Sequence, residues 1–173
     1  MLRTALGALA ALVVAGLVSP SLAKADQIDP VQPPEVSVSI APEFREKALE
    51  TYGLTEIERL ADRLRDEVAR ELARTGVMAG GRVELVLTDA KPNRPTRKEL
   101  GDRPGLSFRS FSLGGAAIEG QMITFDGKVM PVTFSWYATD ITDARRQAVW
   151  GDAQWTFDRF AHRLSRGQLY ALR

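Results

Sequence analysis

The sequence predicts an α+β two-layer sandwich, in which an open, mostly antiparallel sheet carries its helices on one face. At least three segments alternate apolar and polar residues strictly, which indicates strands that bury only one face. Two longer segments place apolar residues at helical spacing, which indicates amphipathic helices. The elements follow the order strand-helix-strand-strand-strand-helix. Such helices and such a sheet each need a partner for their apolar side, and packing them together provides one.

The composition is that of one globular α/β domain. The chain has 173 residues, of which 45% are hydrophobic and 26% are charged. Its 23 basic and 22 acidic residues nearly cancel, so no overall positive field attracts nucleic acid. The absence of cysteine excludes disulfides, thiolate metal sites, cysteine nucleophiles and a lipidated cysteine, and the single histidine excludes a histidine-rich metal cluster. We therefore expect neither a metal nor a cofactor.

Residues 1–25 have the features of a secretory signal peptide. Arg3 precedes an apolar run over residues 5–18, about 14 residues long, whereas a membrane-spanning helix needs roughly 20. Two cleavage motifs follow, at residues 21–23 and 23–25, and we prefer the second, which makes Asp26 the first mature residue. The alternative is an uncleaved N-terminal anchor. We expect cleavage, no transmembrane anchor afterwards and a periplasmic location, to which a chain without thiols is suited.

The mature chain is predicted to be a proline-rich lead-in followed by one domain. The lead-in covers residues 26–35 and contains Pro30, Pro33 and Pro34, so it has few backbone donors to give a sheet. The single α/β domain covers residues 36–173. Removal of Arg3 and Lys24 with the leader leaves 21 basic and 22 acidic residues, a net charge of −1 that again disfavours nucleic acid.

The first half of the domain contains the strongest element. Residues 36–40 alternate and predict a strand, and a short helix should then end at Gly53. A long helix follows, with one apolar stripe formed by Leu54, Ile57, Leu60, Ala61, Leu64, Val68 and Leu72. Thr55 and Glu58 predict a capping box at its start, and Gly76 is placed to end it. On its outer face, i,i+4 spacing predicts the ion pairs Asp66–Arg70 and Arg63–Glu67.

The second half is predicted to be a three-stranded meander closed by a helix. Residues 82–88 alternate, residues 91–104 form a polar connection outside the core, and residues 111–125 and 129–141 form two long strands. The Asp126-Gly127 pair predicts the hairpin turn between them. Asp152 is placed to cap the last helix and Gly167 to end it; its apolar arc consists of Ala153, Phe157, Phe160, Ala161 and Leu164.

Five stretches carry a resemblance to a known group of proteins. They are APEFREKALETYG (41–53), LTDAKPNRPT (87–96), FSLGGA (111–116), WGDA (150–153) and FDRFA (157–161). In their order they resemble uncharacterised proteobacterial envelope proteins with a conserved domain of unknown function, many of which are lipoproteins. Such proteins are similar in fold to small α/β modules of outer-membrane assembly lipoproteins, such as the curli secretion lipoprotein and the N-terminal domain of the Tol-system propeller protein. This chain has no cysteine to acylate, and the resemblance implies no catalytic residues.

No motif predicts a nucleotide site or a nucleophile. The glycine-rich residues 114–120 lie within a predicted strand rather than at a strand-to-helix turn, so they lack the context of a dinucleotide fingerprint. His162 lies four residues after Asp158, and no nucleophile elbow accompanies it. We expect a surface histidine paired within its own helix. A hydrolase with paired carboxylates remains as a third alternative; its candidates are Asp89, Glu119, Asp126, Asp140 and Asp143.

Two surfaces are candidates for binding. The first is the 91–104 connection, which has a local excess of positive charge and could present donors to an anionic group from Asn93, Arg94, Thr96 and Arg97. The second is the outer face of the last helix, where Trp155, Arg159, His162 and Arg166 cluster opposite the apolar arc. Tryptophan and arginine dominate binding hot spots. The open sheet face, with Thr133, Ser135 and Thr139 and with Tyr137 beside them, is a further possible contact; the alternative is that it simply faces water.

The leading hypothesis is a non-enzymatic periplasmic interaction or assembly module that binds another envelope protein. The alternative is a protein that binds a small anionic ligand with the 91–104 segment. Charge reversal at Arg94 and Arg97 is expected to weaken partner capture without unfolding the domain. A pocket at this segment would favour the ligand hypothesis, and a flat surface would favour the interaction hypothesis.

Overall fold

The computed structural model describes residues 32–144 and 147–169, except for the side chain of Asp143. The predictions for residues 1–31, which include the signal peptide and most of the lead-in, lie outside the described residues. Among the helices that are described, none is both long and apolar enough to cross a membrane.

A four-stranded mixed sheet forms one layer of the domain. Its strands are β1 (Glu35–Ile40), β2 (Arg82–Lys91), β3 (Gly115–Ile123) and β4 (Val129–Tyr137), and they lie side by side in that order. β1 runs parallel to β2, whereas β2, β3 and β4 form an antiparallel meander. The predicted topology is confirmed, and β1 and β4 are the two edge strands.

Helices form the second layer. They are α1 (Pro42–Glu50), α2 (Leu54–Thr75), α3 (Arg97–Asp102), α4 (Ile141–Ala144) and α5 (Gly151–Ser165). The two long helices, α2 and α5, pack against each other; α2 also packs on β1, and α5 packs on β3 and β4. The predicted two-layer sandwich is confirmed.

The core lies between the layers and follows the predicted periodicities. Six residues of the α2 stripe are buried, from Ile57 to Leu72, as is the apolar arc of α5. Opposite them, the inward side chains of Val83, Leu85 and Leu87 have at most 2% of their surface exposed. Burial of a large aliphatic side chain contributes about 1.5–3 kcal/mol, so packing fixes where the helices lie.

The ends of α2 agree with the prediction at one terminus only. Gly76 ends the helix in the left-handed conformation, with φ 68°, as expected. The capping box predicted from Thr55 and Glu58 is wrong, because the helix begins after Gly53, whose φ of 94° breaks it from α1. The i,i+4 ion pairs are also wrong. Among the described residues Arg70 pairs with Glu67 and Arg65 with both Asp62 and Asp66, over shorter separations.

The last two strands are shorter than predicted. β3 begins only at Gly115, and β4 ends at Tyr137, after which α4 starts where the sequence pattern predicted strand. The hairpin turn is where the Asp126-Gly127 pair predicted it: Gly127 has φ 84°, and the N–H of Thr124 donates to the carbonyl of Lys128 over 3.0 Å.

The 91–104 connection departs most from its prediction. It contains α3, which begins with a capping box between Thr96 and Glu99. Asn93, Thr96 and Glu99 are all buried. The expectation that this segment lies outside the packed structure is therefore wrong, because its polar side chains satisfy backbone groups and one another inside the fold.

Candidate functional site

Asn93 is the centre of a buried hydrogen-bond network that joins the 91–104 segment to the start of α5. Its side-chain amide donates to a carboxylate oxygen of Asp152 over 2.5 Å, and its carbonyl oxygen accepts from the Asp152 N–H over 2.8 Å. The N–H of Gly114 donates to the same carboxylate over 3.1 Å. The predicted helix cap by Asp152 is wrong, because the residue before the helix is Trp150 and the Asp152 side chain bonds Asn93 and Gly114 instead. Asn93 has no exposed surface with which to meet a ligand.

Of the other three candidates in the 91–104 segment, two form side-chain hydrogen bonds within the fold and one is exposed to solvent. Arg94 donates to the carbonyls of Gln147 over 2.8 Å and Phe108 over 3.1 Å, so it ties two connections together. Thr96 caps α3, whereas Arg97 is exposed at the surface. The cavity beside Arg94 has a volume of about 190 Å³, below the roughly 300–1,000 Å³ of ordinary small-molecule sites. The segment holds the fold together more than it presents donors.

Trp155 and Arg159 lie on the outer side of α5, where helical periodicity placed them. Trp155 has 47% of its surface exposed. Its ring meets the ring of Trp136 from β4 edge to face, with centroids 4.6 Å apart. The guanidinium of Arg159 lies 4.2 Å from the Trp155 ring and 5.6 Å from the Trp136 ring. Cation–π contacts of this kind contribute about 0.5–1 kcal/mol at exposed sites.

A cavity of about 550 Å³ opens beside this aromatic pair. Its walls come from the end of β4, the connection before α5, the exposed side of α5 and Arg63 of α2. They include the rings of Trp136 and Trp155, the Gln154 amide and the carboxylates of Asp140, Asp152 and Asp158. Its volume lies within the range of ordinary binding sites. We call Trp136, Trp155, Arg159 and this cavity the tryptophan surface.

Neither the scan of protein-family models nor the search of curated proteins finds a match for this chain. What the domain does must therefore be argued from its own geometry.

Two candidate residues lie near the C-terminal end of α5, and one of them, His162, contacts α2. His162 Nδ1 lies 3.6 Å from a carboxylate oxygen of Glu71. The expectation that this histidine pairs within its own helix is wrong, because the groove between the helices brings Glu71 closer. Hydrogen bonds from Arg74, helped by Ser165 and His162, lower the pKa of Glu71 to about 2 against the opposing effect of burial. Arg166 is exposed just after the helix.

A second polar cluster, which the sequence did not indicate, joins α1 to β2 and to the end of β4. Asp89 accepts from Lys47 Nζ over 2.7 Å and from the Tyr137 hydroxyl over 2.8 Å. Burial opposes ionisation of Asp89, but these two hydrogen bonds outweigh it and lower the pKa of the carboxyl group. Burial and the Asp89 hydrogen bond raise the pKa of Tyr137. The cluster is internally neutralised, which suits a structural ion pair.

The contact between Tyr137 on β4 and Asp89 on β2 depends on a glycine in β3, the strand between them. Gly115 lies opposite both Tyr137 on β4 and Lys91 on β2. A Cβ atom at this position would be 2.5 Å from a ring carbon of Tyr137, so only glycine leaves room for the ring. The glycine at the start of β3 therefore has a concrete steric reason. The signal that could have revealed the cluster is the strand pairing, which a single sequence does not contain.

Three of the candidate carboxylates of the hydrolase alternative have structural roles. Asp89 belongs to the cluster above, Asp126 accepts from Thr124 in the hairpin turn, and Asp140 accepts from the N–H of Thr142. Glu119 is exposed on the open face, opposite Thr133. The side chain of Asp143 lies outside the described residues. Within residues 32–144 and 147–169, no three histidine or acidic side chains converge on a possible metal position.

Proposed function

We propose that the domain is a non-enzymatic interaction module of the bacterial envelope, which binds an acidic partner protein with the tryptophan surface. The observation that carries this proposal is the exposed pair Trp155 and Arg159, held against Trp136 beside an open cavity. These residue types supply much of the binding free energy in protein interfaces. The proposal retains the periplasmic location and the envelope-protein relationship expected from the sequence.

Charge supports an acidic partner. From Trp155 to Arg166 the exposed side of α5 and its end carry Arg159, Arg163 and Arg166 against one exposed carboxylate, that of Asp158. Neither Arg159 nor Arg163 forms an ion pair with any carboxylate of the described residues; both lie over aromatic rings instead. An acidic partner would therefore meet two guanidinium groups that are not already neutralised.

The test is capture of envelope proteins by cross-linking to the tagged protein, with Trp155→Ala and Arg159→Glu variants. We expect each substitution to reduce capture about tenfold or more. Arg97→Glu is the matched control, since Arg97 is an exposed arginine of the 91–104 segment. Loss of capture with Arg97→Glu, and its retention with Trp155→Ala, would overturn the proposal in favour of the 91–104 segment.

The cavity of the tryptophan surface favours one alternative function, the binding of a small ligand. Its size suits such a molecule, and Gln154 and the two tryptophan rings provide polar and apolar walls. Native mass spectrometry of the protein purified from cells distinguishes the two. A co-purifying small molecule that Trp155→Ala removes supports the ligand function, whereas bare protein together with specific protein capture supports the interaction module.

A further inference from the structure

β4 is an edge strand with a row of outward backbone groups. The N–H of Ala138 donates to the carbonyl of Gly114 over 2.9 Å, which makes this pair a hydrogen-bonded one. Hydrogen-bonded and non-hydrogen-bonded pairs alternate in an antiparallel ladder. The even-numbered residues of β4 therefore bond to β3, and the odd-numbered residues from Val129 to Tyr137 direct their N–H and C=O groups away from the sheet. Within the described residues, no strand pairs with that side of β4.

A proline limits which part of this edge can receive another strand. Pro131 is an outward residue, so it offers no N–H at its position. Proline at such positions blocks unwanted pairing at sheet edges. Beyond it, Thr133, Ser135 and Tyr137 retain their outward N–H groups, and Thr133 and Ser135 are exposed. The stretch from 133 to 137 is therefore the part of the edge that is open to pairing.

This same stretch is bordered by the two unneutralised arginines. Arg163 lies 5.4 Å from the Phe134 ring, and Arg159 lies 5.6 Å from the Trp136 ring. Four residues along a helix rise about 6 Å, and two residues along a strand rise about 6.6 Å. Carboxylates two residues apart on an added strand would thus match the spacing of Arg159 and Arg163.

We propose that an extended acidic segment of the partner adds to the sheet beside residues 133–137 of β4, with carboxylates at positions i and i+2 that pair with Arg163 and Arg159. The inference rests on the proposed function and specifies the binding mode and the partner chemistry. Main-chain hydrogen bonds supply affinity in strand addition, and alternate side chains supply specificity. A second copy of this chain is a poorer occupant, because two β4 edges would bring the arginines of both copies together.

The experiment titrates the protein with a blocked six-residue peptide that alternates Asp and Val. Binding is followed by the Trp155 indole resonance and by hydrogen exchange of the β4 amides. We expect the amides of Thr133 and Ser135 to exchange about tenfold more slowly with the peptide bound. The matched peptide carries N-methyl groups on alternate amides, which leaves its side chains unchanged and removes its pairing donors. We expect it to bind at least about tenfold more weakly.

Variants of the protein test the two halves of the contact separately. Ser135→Pro removes one outward donor and no bond to β3, and Pro131 is the precedent for proline at such a position. The double variant with Arg159→Glu and Arg163→Glu reverses the charge beside residues 133–137. Both variants should lose about tenfold or more in peptide affinity, whereas Arg109→Glu, an exposed arginine of the connection before β3, should lose none.

Three results overturn the strand addition. A peptide that shifts the Trp155 resonance but leaves the exchange of Thr133 and Ser135 unchanged removes this binding mode and leaves the proposed function standing. An N-methylated peptide that binds as tightly as the unmodified peptide also removes this binding mode and leaves the proposed function standing. Protection of these amides that increases with protein concentration, without peptide, assigns the edge to a second copy. Partner capture that is retained by both Trp155→Ala and Arg159→Glu would instead overturn the proposed function on which the strand addition rests.

Discussion

Asn93, in the connection between β2 and β3, has no exposed surface, whereas Trp155 on α5 has 47% of its surface exposed. Both residues belong to surfaces that the sequence marks as candidates for binding. Asn93 bonds to Asp152 through both ends of its side-chain amide, while the ring of Trp155 lies against Trp136 and Arg159 at the surface. The polar side chains of the 91–104 segment thus complete the fold, and the outer face of α5 remains available to a partner.

The difference arises because buried backbone N–H and C=O groups need hydrogen-bond partners. The start of α5, the N–H of Gly114 and the connection after β2 all need hydrogen-bond partners away from water, and an unsatisfied buried group costs about 1–3 kcal/mol. Asn93 and Asp152 meet that demand. No such demand acts on an indole or a guanidinium at a sheet edge, where neither can be buried completely. A polar residue in a connection therefore indicates function less reliably than an exposed aromatic residue on a helix.

Among substitutions in the two candidate surfaces, the largest expected effect on stability is that of Asn93→Ala. This substitution leaves the buried Asp152 carboxylate with one partner fewer and removes the acceptor of the Asp152 N–H. We expect the free energy of unfolding to fall by about 3 kcal/mol. Urea unfolding measures it, with Arg97→Ala as the control that should change by less than about 0.5 kcal/mol. Equal stability of the two variants would contradict the structural role of Asn93.

Gly114→Ala tests the same network from its other side. A Cβ atom at this position would lie 2.6 Å from the side-chain oxygen of Asn93 and 2.9 Å from the carbonyl oxygen of Lys91. Because the backbone cannot yield there, we expect a loss of about 2 kcal/mol in unfolding free energy. The control is Gly101→Ala in α3, where nothing lies within 4 Å of the added atom. A Gly114→Ala protein as stable as the Gly101→Ala protein would show that the contact is loose.

Glu71→Gln examines the part of the α5 face that α2 already engages. The pKa of Glu71 is lowered in the folded protein, so its ionised form contributes stability above its ordinary value near 4.5 and loses that contribution as the pH falls towards about 2. At neutral pH we expect the substitution to cost about 1 kcal/mol. Stability measured from pH 7 to pH 2 should fall less steeply in Glu71→Gln than in the wild type. Parallel curves would show that Glu71 does not carry this dependence.

Trp155→Ala should have only a small effect on stability. The ring is half exposed, and its loss removes the edge-to-face contact with Trp136, worth about 0.5–1.5 kcal/mol. We expect a change of about 1 kcal/mol in unfolding free energy together with the strong loss of partner capture described above. The inward Phe157→Ala, with 1% of its surface exposed, is the comparison and should cost about 3–5 kcal/mol. A large effect of Trp155→Ala on folding would remove the contrast between the two surfaces.

Periodicity predicted the architecture of this domain well. The alternation of Val83, Leu85 and Leu87 and the apolar stripe of α2 are local patterns, and burial follows from them directly. Such local patterns predicted the two layers, the strand order of the meander and the outward position of Trp155. Helix termini were predicted less well. Thr55 could cap α2 only if it came immediately before the helix, but the helix already begins at Leu54, after Gly53.

The contacts that define the site were harder to predict, because their partners are far apart in the sequence. Asn93 and Asp152 are separated by 59 positions, and Tyr137 and Asp89 by 48. Nothing in the neighbourhood of Asn93 distinguishes a residue that satisfies buried backbone from one that meets a ligand. The contact between Trp155 and Trp136 likewise depends on how α5 lies over β4, which helical spacing alone does not give.

The most direct test of the contrast is a photocrosslinking amino acid placed at position 158 and, in a second protein, at position 97, with each protein expressed in cells and its crosslinks identified. Both positions are exposed, and position 158 lines the cavity of the tryptophan surface while leaving Trp155 in place. We predict a specific crosslink to an acidic envelope protein from position 158 and none from position 97. The same crosslink from position 97, with none from position 158, would contradict the assignment of the partner to the tryptophan surface.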